Sequence, residues 1–383
     1  MMGPDRRLTV LGGLASLSAC AAQPRIGSGL SPADLLPPLA PIRAHRDRLF
    51  DITVCLRPFR AAGPRLDTEM IGDALVIHNY GHGGSGWSLS WGSGTLALEK
   101  AMSRGPKEIA VIGSGALGLA AATLALRAGL SVTIYCKELI QQARSARASG
   151  LWTPDSRIAM AKDAAPGFGD TWERMARISW KTYRDYLGLP GNPVEFRDRY
   201  SLSDGATAQE DDQGFAAYAG RIDDLTPRSV ALPAEVTPFP VTGVRRTSTL
   251  QFNVHDYAHQ LLGDIRAMGG KVVVREFHDP GEFGQLKEKV VINCTGYGAR
   301  ALMGDQTIVP VRGQIGWLIP QPEVTYGLYY RDVSVISRSD GIVVQSLEGG
   351  DLKGFNNDHE VPDRAESEAA VDVIENLYAR FRA

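Results

Sequence analysis

The stretch "EIAVIGSGALGLAAATLALRAG", residues 108–129, decides the fold of this 383-residue chain. It predicts a strand over residues 108–112, a glycine loop at 113–118 and an alanine- and leucine-rich helix that ends at Gly129. A strand over residues 131–136 completes the start of a βαβ unit. The loop has the spacing G-x-G-x-x-G, which permits a tight turn, close backbone approach to a pyrophosphate and close helix–strand packing. The sequence therefore predicts a dinucleotide-binding domain, with the phosphates at the positive end of the helix dipole.

The residues after the second strand bear on which dinucleotide binds. That strand ends in Cys136-Lys137-Glu138. An acidic side chain about 20 residues past the glycines holds the ribose hydroxyls of NAD, and Glu138 has this position. Lys137 would instead meet a phosphate. This position alone does not choose between NAD and FAD.

The bulk composition is that of an ordinary folded protein. Hydrophobic residues make up 44% and charged residues 22% of the chain, whose length allows two domains or one large domain. The net charge of −2 gives no electrostatic reason to expect a nucleic acid as a partner. The sequence has no apolar run of about 18 residues, so we expect no membrane-spanning helix.

The first 20 residues have the pattern of an export signal. Twin arginines precede a short apolar run that ends in "LSAC" (17–20), which resembles a bacterial lipobox. We expect residues 1–20 to be a Tat-type lipoprotein signal peptide, and the proline-rich residues 21–48 to be a linker. The mature chain would then be exported to the periplasm or cell envelope and anchored to a membrane through lipidated Cys20.

The other cysteines and two histidines lack disulfide or metal spacing. Cys55, Cys136 and Cys294 lie in strand-like apolar stretches, and their odd number predicts small buried side chains rather than a disulfide framework. His78 and His82 are four residues apart, but the surrounding glycines predict a loop instead of a metal-binding helix. We interpret them as hydrogen-bonding supports of that loop and expect no metal site.

That loop belongs to "IHNYGHGGSGWSLSWG" (77–92), a second glycine loop that precedes the first one in the chain. Strands are predicted before it, over residues 50–60 and 73–80. A helix over residues 92–105 follows it, with Gly105 as its stop.

From residue 108 onward, four motifs occur in the order and approximate spacing of the D-amino-acid oxidase family. They are "VIGSGALGL" (111–119), "SGLWTP" (149–154), "VINCTG" (291–296) and "VRGQI" (311–315). The family's C-terminal motifs resemble the front of this chain instead, "CLRPFRAAGPRL" (55–66) and the loop of residues 77–92. The chain thus resembles a circularly permuted member of that family. Compact domains often hold their termini close together, which makes such rewiring compatible with one fold.

The resemblance implies an α/β fold in which a Rossmann-like FAD-binding domain is interleaved with an α+β substrate domain. The implied segments are a strand of the substrate domain carrying Arg57 (49–66), the FAD-binding domain (73–170 and a return strand in 285–316) and the substrate domain (171–284, and 317–383 with the C-terminal helix).

The resemblance also implies where cofactor and substrate bind. The residues implied to hold FAD are Gly113, Gly115, Ala116, Leu117, Gly118, Lys137, Glu138, Ser149, Gly150, Leu151, Thr295 and Gly296, with Gly83, Ser85, Gly86, Trp87 and Ser88 beside the flavin ring. The dipole of helix 86–101 would stabilise negative charge on the reduced flavin. Arg57 matches the arginine that binds the substrate carboxylate through two parallel hydrogen bonds, with Arg60 as a second candidate. The carbonyl of Gly84 would accept a hydrogen bond from the substrate amine.

The implied reaction is oxidative deamination of a D-amino acid or related amine. A hydride passes from Cα to flavin N5, and the imino acid hydrolyses to a 2-oxo acid and ammonia, with O2 or a quinone as the final electron acceptor. A glycine or secondary-amine oxidase or dehydrogenase of the same family is the first alternative. A non-catalytic FAD-binding envelope protein and, on Lys137 alone, an NAD(P)-linked reductase are alternatives of other classes.

This chain departs from the pattern of the family at one place. The family has tyrosines on a lid over the substrate. The corresponding stretch here, "PVTGVRRTSTLQF" (240–252), has no tyrosine and contains Arg245 and Arg246. These arginines are either exposed loop charges or a basic lid that favours acidic substrates. The candidates for the missing hydroxyl are Tyr200, Tyr329 and Tyr330.

Overall fold

The structure is a computed structural model that describes residues 38–205 and 213–381. The strands in these ranges are β1 (Leu49–Arg60), β2 (Thr68–Ile71), β3 (Ala74–His78), β4 (Glu108–Ile112), β5 (Ser131–Cys136), β6 (Val194–Ser203), β7 (Val230–Leu232), β8 (Gly243–Phe252), β9 (Lys271–Val274), β10 (Val290–Asn293), β11 (Ile308–Leu318), β12 (Tyr326–Tyr330), β13 (Val333–Arg338) and β14 (Gly341–Ser346). The helices are α1 (Gly86–Met102), α2 (Ala116–Arg127), α3 (Phe168–Tyr183), α4 (Val254–Ala267), α5 (Ala299–Leu302) and α6 (Arg364–Tyr378).

The predicted βαβ unit lies in a six-stranded sheet with the order β2-β3-β10-β4-β5-β9. Strands β3, β10, β4, β5 and β9 are parallel, and β2 runs antiparallel to β3. Strands β4 and β10 are nearly continuous runs of buried residues, as expected for parallel strands covered on both faces. Because all five parallel strands end at the same edge, the loops that follow them meet there.

Strand β3 reaches this sheet from an early part of the chain. It pairs in parallel with β10, Leu75 opposite Val290, while β10 pairs with β4 on its other side. The helix that follows, α1, approaches its neighbours closely through a glycine. A Cβ on Gly92 would lie 2.1 Å from the carbonyl oxygen of Met175 in α3. Strand β3 and α1 therefore form a second strand–loop–helix unit beside β4 and α2.

An eight-stranded, mostly antiparallel sheet has the order β1-β11-β14-β13-β12-β6-β8-β7. Strand β1 pairs with β11 along nearly its whole length, which places Arg57 opposite Val311. Helix α6 buries Val371, Ile374 and Leu377 in a cluster with apolar side chains of this sheet. The sheet thus joins an early strand, the late strands and the last helix into one core.

Three predicted boundaries differ from the structure. Residues 39–48 are part of the folded body and not of a linker, because Ile42 and Ala44 are buried against the eight-stranded sheet. Strand β9 falls in the predicted substrate segment 171–284, yet it pairs with β5 of the nucleotide sheet. Strand β11 overlaps the predicted FAD-binding segment 285–316, yet it belongs to the eight-stranded sheet. Long-range strand pairing decides sheet membership, and order along the chain does not reveal it.

The described cysteines are free thiols, with Cys136 and Cys294 buried and Cys55 half-buried. Burial raises the pKa of Cys294 to about 12, so this thiol stays protonated. In the described ranges no helix combines the length and the apolar character needed to cross a membrane. The predicted signal peptide at residues 1–20 lies outside the described residues.

Candidate active site

The loop between β4 and α2 is closely packed at two of its glycines. Gly113 has φ 106°, and a Cβ there would lie 2.6 Å from the carbonyl oxygen of Cys294. A Cβ on Gly118 would lie 1.9 Å from the carbonyl oxygen of Gly113. Only glycine fits either position, and the backbone of the loop is left bare for a ligand to approach.

The first turn of α2 carries no acidic residue, and its N-cap residue, Gly115, has no side chain to cap the helix. The N–H groups of this turn and the positive end of the helix dipole therefore suit an anion such as a pyrophosphate. Predicted contacts with Ala116 and Leu117 fall on this turn. These residues fit the pyrophosphate of a dinucleotide, and their individual contacts stay predictions.

The ends of β5 and β10 flank this loop. The hydroxyl of Ser114 donates to the carbonyl oxygen of Glu138 (2.7 Å), which ties the end of β5 to the glycine loop. Lys137 instead points to the surface, where its ammonium pairs with Glu276 (2.7 Å) and this partner raises the pKa of the lysine. Thr295 is the second residue after β10 and donates its hydroxyl proton to Asn293 (2.7 Å). The support that Lys137 gave to an NAD(P)-linked reductase is therefore weak.

The second glycine loop is held between β1 and the segment that follows "SGLWTP". The N–H of Gly83 donates to the carbonyl oxygen of Pro58 (2.9 Å), and the N–H of Gly84 donates to that of Ser156 (3.0 Å). A Cβ on Gly83 would lie 1.9 Å from the carbonyl oxygen of Arg157. This loop therefore adjoins the strand that carries Arg57.

The N-terminal turns of α1 and α2 meet at one residue, Ser145. The indole N–H of Trp87 in α1 donates to its carbonyl oxygen (2.8 Å), and the N–H of Ala116 in α2 donates to its hydroxyl (3.2 Å). Both turns lack an acidic residue, and the N-cap side chain of neither helix caps it. Two positive helix ends thus converge, as expected for a site that holds an extended anionic cofactor.

The segment Ser149–Gly150–Leu151 runs beside the start of α1. Ser88 in that helix donates to the carbonyl oxygen of Leu151 (3.5 Å) and accepts from the N–H of Thr153 (2.9 Å). Gly150 has φ 94° and approaches the carbonyl oxygen of Phe252 too closely for a Cβ, which would lie 2.4 Å away. The structure thus brings together the predicted flavin-ring residues Gly83, Gly84, Ser85, Gly86, Trp87, Ser88, Ser149, Gly150 and Leu151.

His82 supports the second loop from inside. Ser93 in α1 donates its hydroxyl proton to Asn79, so the Nε2 of His82, 2.7 Å from the same hydroxyl, acts as the donor to it. His82 is fully buried, and burial lowers its pKa to about 3. His78 is also buried and contacts Glu69 (2.9 Å). Within the described residues no three His, Cys, Asp or Glu side chains cluster in a way that would hold a metal ion.

Replacing His82 by Gln is expected to flatten the dependence of stability on pH. Because its folded-state pKa of about 3 lies below the 6.5 of an unfolded histidine, the unfolded chain binds more protons between these values, and acidification favours unfolding. Between pH 6.5 and pH 5 this one group lowers the free energy of unfolding by about 2 kcal/mol. Urea unfolding of wild type and His82→Gln at both pH values measures the difference. Equal pH slopes in the two proteins would contradict a buried neutral His82.

Arg57 lines a cavity of about 150 Å³ beside the second loop. Its guanidinium lies against Gly313, where a Cβ would be 2.3 Å from Nη1, and that nitrogen donates to the carbonyl oxygen of Arg312 (3.4 Å). No carboxylate in the described part of the chain lies within 4 Å of it. Arg60, the second candidate, instead contacts Thr307 (2.9 Å) and Asp305 (3.4 Å). Of the two candidate arginines, Arg57 is therefore the one that lines the cavity without a carboxylate partner among the described residues.

The sequence did not identify several residues of this cavity. Its lining includes Arg157, Arg312, Gln314, Gln345, Ser346, Lys353 and Asn357. These residues come from segments that are far apart in the chain, and none has a distinctive local pattern. Two of these residues lie close to family motifs, which could have indicated them as site residues. Arg157 is three residues after "SGLWTP", and Arg312 lies inside "VRGQI".

The predicted basic lid is not at this cavity. Arg245 and Arg246 lie on β8, which contributes no residue to the lining and is four strand positions, about 19 Å measured along the sheet, from β14, the nearest strand of the lining. The three candidate tyrosines lie on β6 and β12. Arg199 stacks over the ring of Tyr329, and the hydroxyl of Tyr330 donates to Asp204 (2.8 Å). Within the described residues the cavity is lined by arginine, lysine and amide side chains and has no tyrosine.

Two glycine loops at helix N-termini over the carboxyl edge of a parallel sheet, with an arginine-lined cavity beside them, are the features of a dinucleotide-binding protein. Residues 108–383 match the family DAO, described as FAD dependent oxidoreductase, and the chain belongs to that family. This confirms the family and the α/β fold expected from the sequence.

The chain is similar to several curated relatives. One is a "D-amino-acid oxidase" of Streptomyces coelicolor, 29% identical over 212 residues, or 54% of this chain and 58% of that protein. Another is a "D-amino-acid oxidase" of Dictyostelium discoideum, 25% identical over 278 residues, or 71% and 73% of the two chains. The match to the first relative thus spans little more than half of its length.

A solved structure, "L-amino acid deaminase from Proteus vulgaris", has a TM-score of 0.50 at 13% identity, over 72% of this chain and 80% of that one. This likeness shows the fold alone.

Proposed function

We propose that this protein is an FAD-dependent enzyme that oxidatively deaminates a D-amino acid or a related amine. The observation that carries the proposal is Arg57, which faces a small cavity next to the second glycine loop without a carboxylate partner among the described residues. The named D-amino-acid oxidases to which the chain is similar support the choice of reaction.

Each part of the proposed site would have a separate role. The glycines at 113, 115 and 118 fit the pyrophosphate of FAD, because side chains there would clash with Cys294, Ser145 and the loop backbone and would push the loop out of its tight turn. Bound FAD would accept a hydride from the substrate Cα. Arg57 would bind the carboxylate through its planar guanidinium, and the carbonyl of Gly84 would orient the amine. The N-terminus of α1 would favour negative charge near the second loop.

We propose further that the chain is a circularly permuted member of its family. The family match begins at residue 108, at the first residue of β4, and leaves the motifs of residues 55–101 outside it. The parallel pairing of β3 with β10 supports the proposal, because a strand that follows the others in the family order would take this place. Expressing the chain with residues 49–107 moved behind residue 383 tests it. A protein that folds and keeps FAD is expected, and an insoluble one would count against the permutation.

We also propose that residues 1–20 direct export and that Cys20 carries a lipid anchor in the cell envelope. The twin arginines and the "LSAC" ending support this. Mass spectrometry of the N-terminal peptide of the mature protein tests this proposal. A mature protein with an unmodified N-terminus upstream of Cys20 would contradict it.

Anaerobic mixing tests the reaction. The purified protein, saturated with FAD, is expected to lose its visible flavin absorbance on addition of a D-amino acid, glycine or sarcosine, with the L-enantiomer as the matched control for each D-amino acid. A protein that binds no FAD would overturn the cofactor assignment. A yellow protein that no amine bleaches would favour a non-catalytic FAD-binding protein. Reoxidation by O2 or by a quinone analogue then distinguishes an oxidase from a dehydrogenase.

A further inference from the structure

The cavity around Arg57 has an excess of positive charge. Its lining holds four cationic side chains, Arg57, Arg157, Arg312 and Lys353. Two carboxylates lie within 4 Å of these cations. Asp351 is 3.0 Å from Arg157, and Glu366 is 3.4 Å from Arg312 and 2.7 Å from Lys353. Four cations face two anions, so the described cavity carries about two unbalanced positive charges.

Arg157 is held firmly at the wall of this cavity. Its side chain is 9% exposed, Nε donates to the carbonyl oxygen of Asp351 (2.7 Å), and Nη1 donates to the hydroxyl of Ser156 (3.2 Å). Its backbone has φ 50°, in the left-handed region that residues other than glycine rarely adopt. Packing of the Gly83 loop against the carbonyl of Arg157 keeps this conformation in place.

The positive charge of Arg57 disfavours the charged form of the Arg157 guanidinium. Burial and the nearby charge of Arg57 lower the pKa of Arg157 to about 10. Like charges that are buried together are unfavourable unless an anion compensates them. Asp351 is half exposed and balances one of the two. The remaining charge fits an anionic group supplied by the ligand.

We propose that the substrate is a dicarboxylic amino acid, with Arg57 binding the α-carboxylate and Arg157 binding the carboxylate of the side chain. This rests on the proposed oxidation of an amino acid and names the substrate class of the same site. The planar guanidinium of Arg57 binds one carboxylate with two parallel hydrogen bonds. Arg157, whose Nη2 already contacts Asp351 (3.0 Å) and the carbonyl oxygen of Gly350 (3.4 Å), would donate to the second carboxylate through Nη1. The unbalanced charge of about two matches the charge of the two carboxylates.

The size of the cavity favours a short substrate. A cavity of about 150 Å³ holds a benzene-sized molecule in an engineered protein, so this one suits ligands of about that size or slightly larger. Four- and five-carbon dicarboxylic amino acids are in this range. Gln314 and Gln345 also line the cavity and offer amide groups to orient the ligand.

Substrate preference tests the proposal on the FAD-loaded protein. We expect kcat/KM for D-aspartate or D-glutamate to exceed that for the neutral isosteres D-asparagine or D-glutamine by about tenfold to a hundredfold, the effect of one charge-assisted contact. In Arg157→Gln the ratio of acid to amide is expected to fall to about one. Arg157→Lys keeps the charge without the fork and is expected to give an intermediate ratio. Arg245→Gln, on distant β8, is the matched control and is expected to leave the ratio as in wild type.

A binding measurement separates this proposal from the proposed reaction. Succinate is expected to raise the melting temperature of the wild type more than butyrate does at equal concentration, and to lose this advantage in Arg157→Gln. If succinate binds in this way and no amino acid bleaches the flavin, the reaction is refuted and the dicarboxylate site stands. If neutral D-amino acids bleach the flavin as well as acidic ones and succinate binds no better than butyrate, the dicarboxylate site is refuted and the reaction stands.

Discussion

Arg57→Ala is expected to lower kcat/KM for carboxylate-bearing amines by about a hundredfold or more, while the protein keeps its FAD. Removing one partner of a desolvated, hydrogen-bonded charge pair costs about 2–5 kcal/mol, and each 1.36 kcal/mol is tenfold in rate. Arg57 faces the cavity, and the residues that fit the pyrophosphate lie elsewhere, on the β4–α2 loop. The measurement is the rate of anaerobic flavin reduction over a range of substrate concentrations.

Arg57→Lys provides the matched variant, because it keeps the charge and loses the planar fork. It is expected to recover part of the lost activity. The ratio of FAD to protein, read from the visible and ultraviolet spectra, should stay near the wild-type value in both variants. Unchanged kcat/KM in Arg57→Ala would show that another group binds the carboxylate.

Gly118→Ala is expected to abolish FAD retention and to destabilise the fold. The added Cβ would lie 1.9 Å from the carbonyl oxygen of Gly113, and a backbone atom has no rotamer with which to move away. The first turn of α2 must therefore shift against the glycine loop, which distorts the proposed pyrophosphate cradle. Overpacking of this kind costs about 3 kcal/mol. We expect less than about a tenth of the wild-type FAD content, together with a lower urea midpoint.

The matched control is Gly263→Ala, in the middle of α4, where a Cβ would meet nothing within 4 Å. This change is expected to leave FAD content unaltered and to stabilise the helix by up to about 1 kcal/mol, because alanine has the higher helix propensity. If Gly118→Ala retained FAD as well as Gly263→Ala does, the β4–α2 loop would not be the cofactor site.

The local units of this fold could be predicted from the amino-acid sequence. The strand–loop–helix–strand of residues 108–136 was predicted closely, because hydrophobic periodicity and glycine spacing are local properties. The second glycine loop was found in the same way, and the helix predicted after it over residues 92–105 begins earlier, at Gly86. The order of the remaining motifs was sufficient to identify the family, which the match of residues 108–383 confirms.

Only the tertiary structure decided which elements share a sheet and which side chains share a cavity. Strand β9 joins the nucleotide sheet through its pairing with β5, and residues 39–48 join the body through the burial of Ile42 and Ala44. The basic residues that line the cavity with Arg57 are Arg157, Arg312 and Lys353, while Arg245 and Arg246 lie on a strand outside its lining. The physical reason is that a charge at a given place in the chain has no periodic signature, and its neighbours are set by long-range strand pairing. The sequence therefore identified the family and its glycine loops, and the fold determined which charged side chains line the cavity.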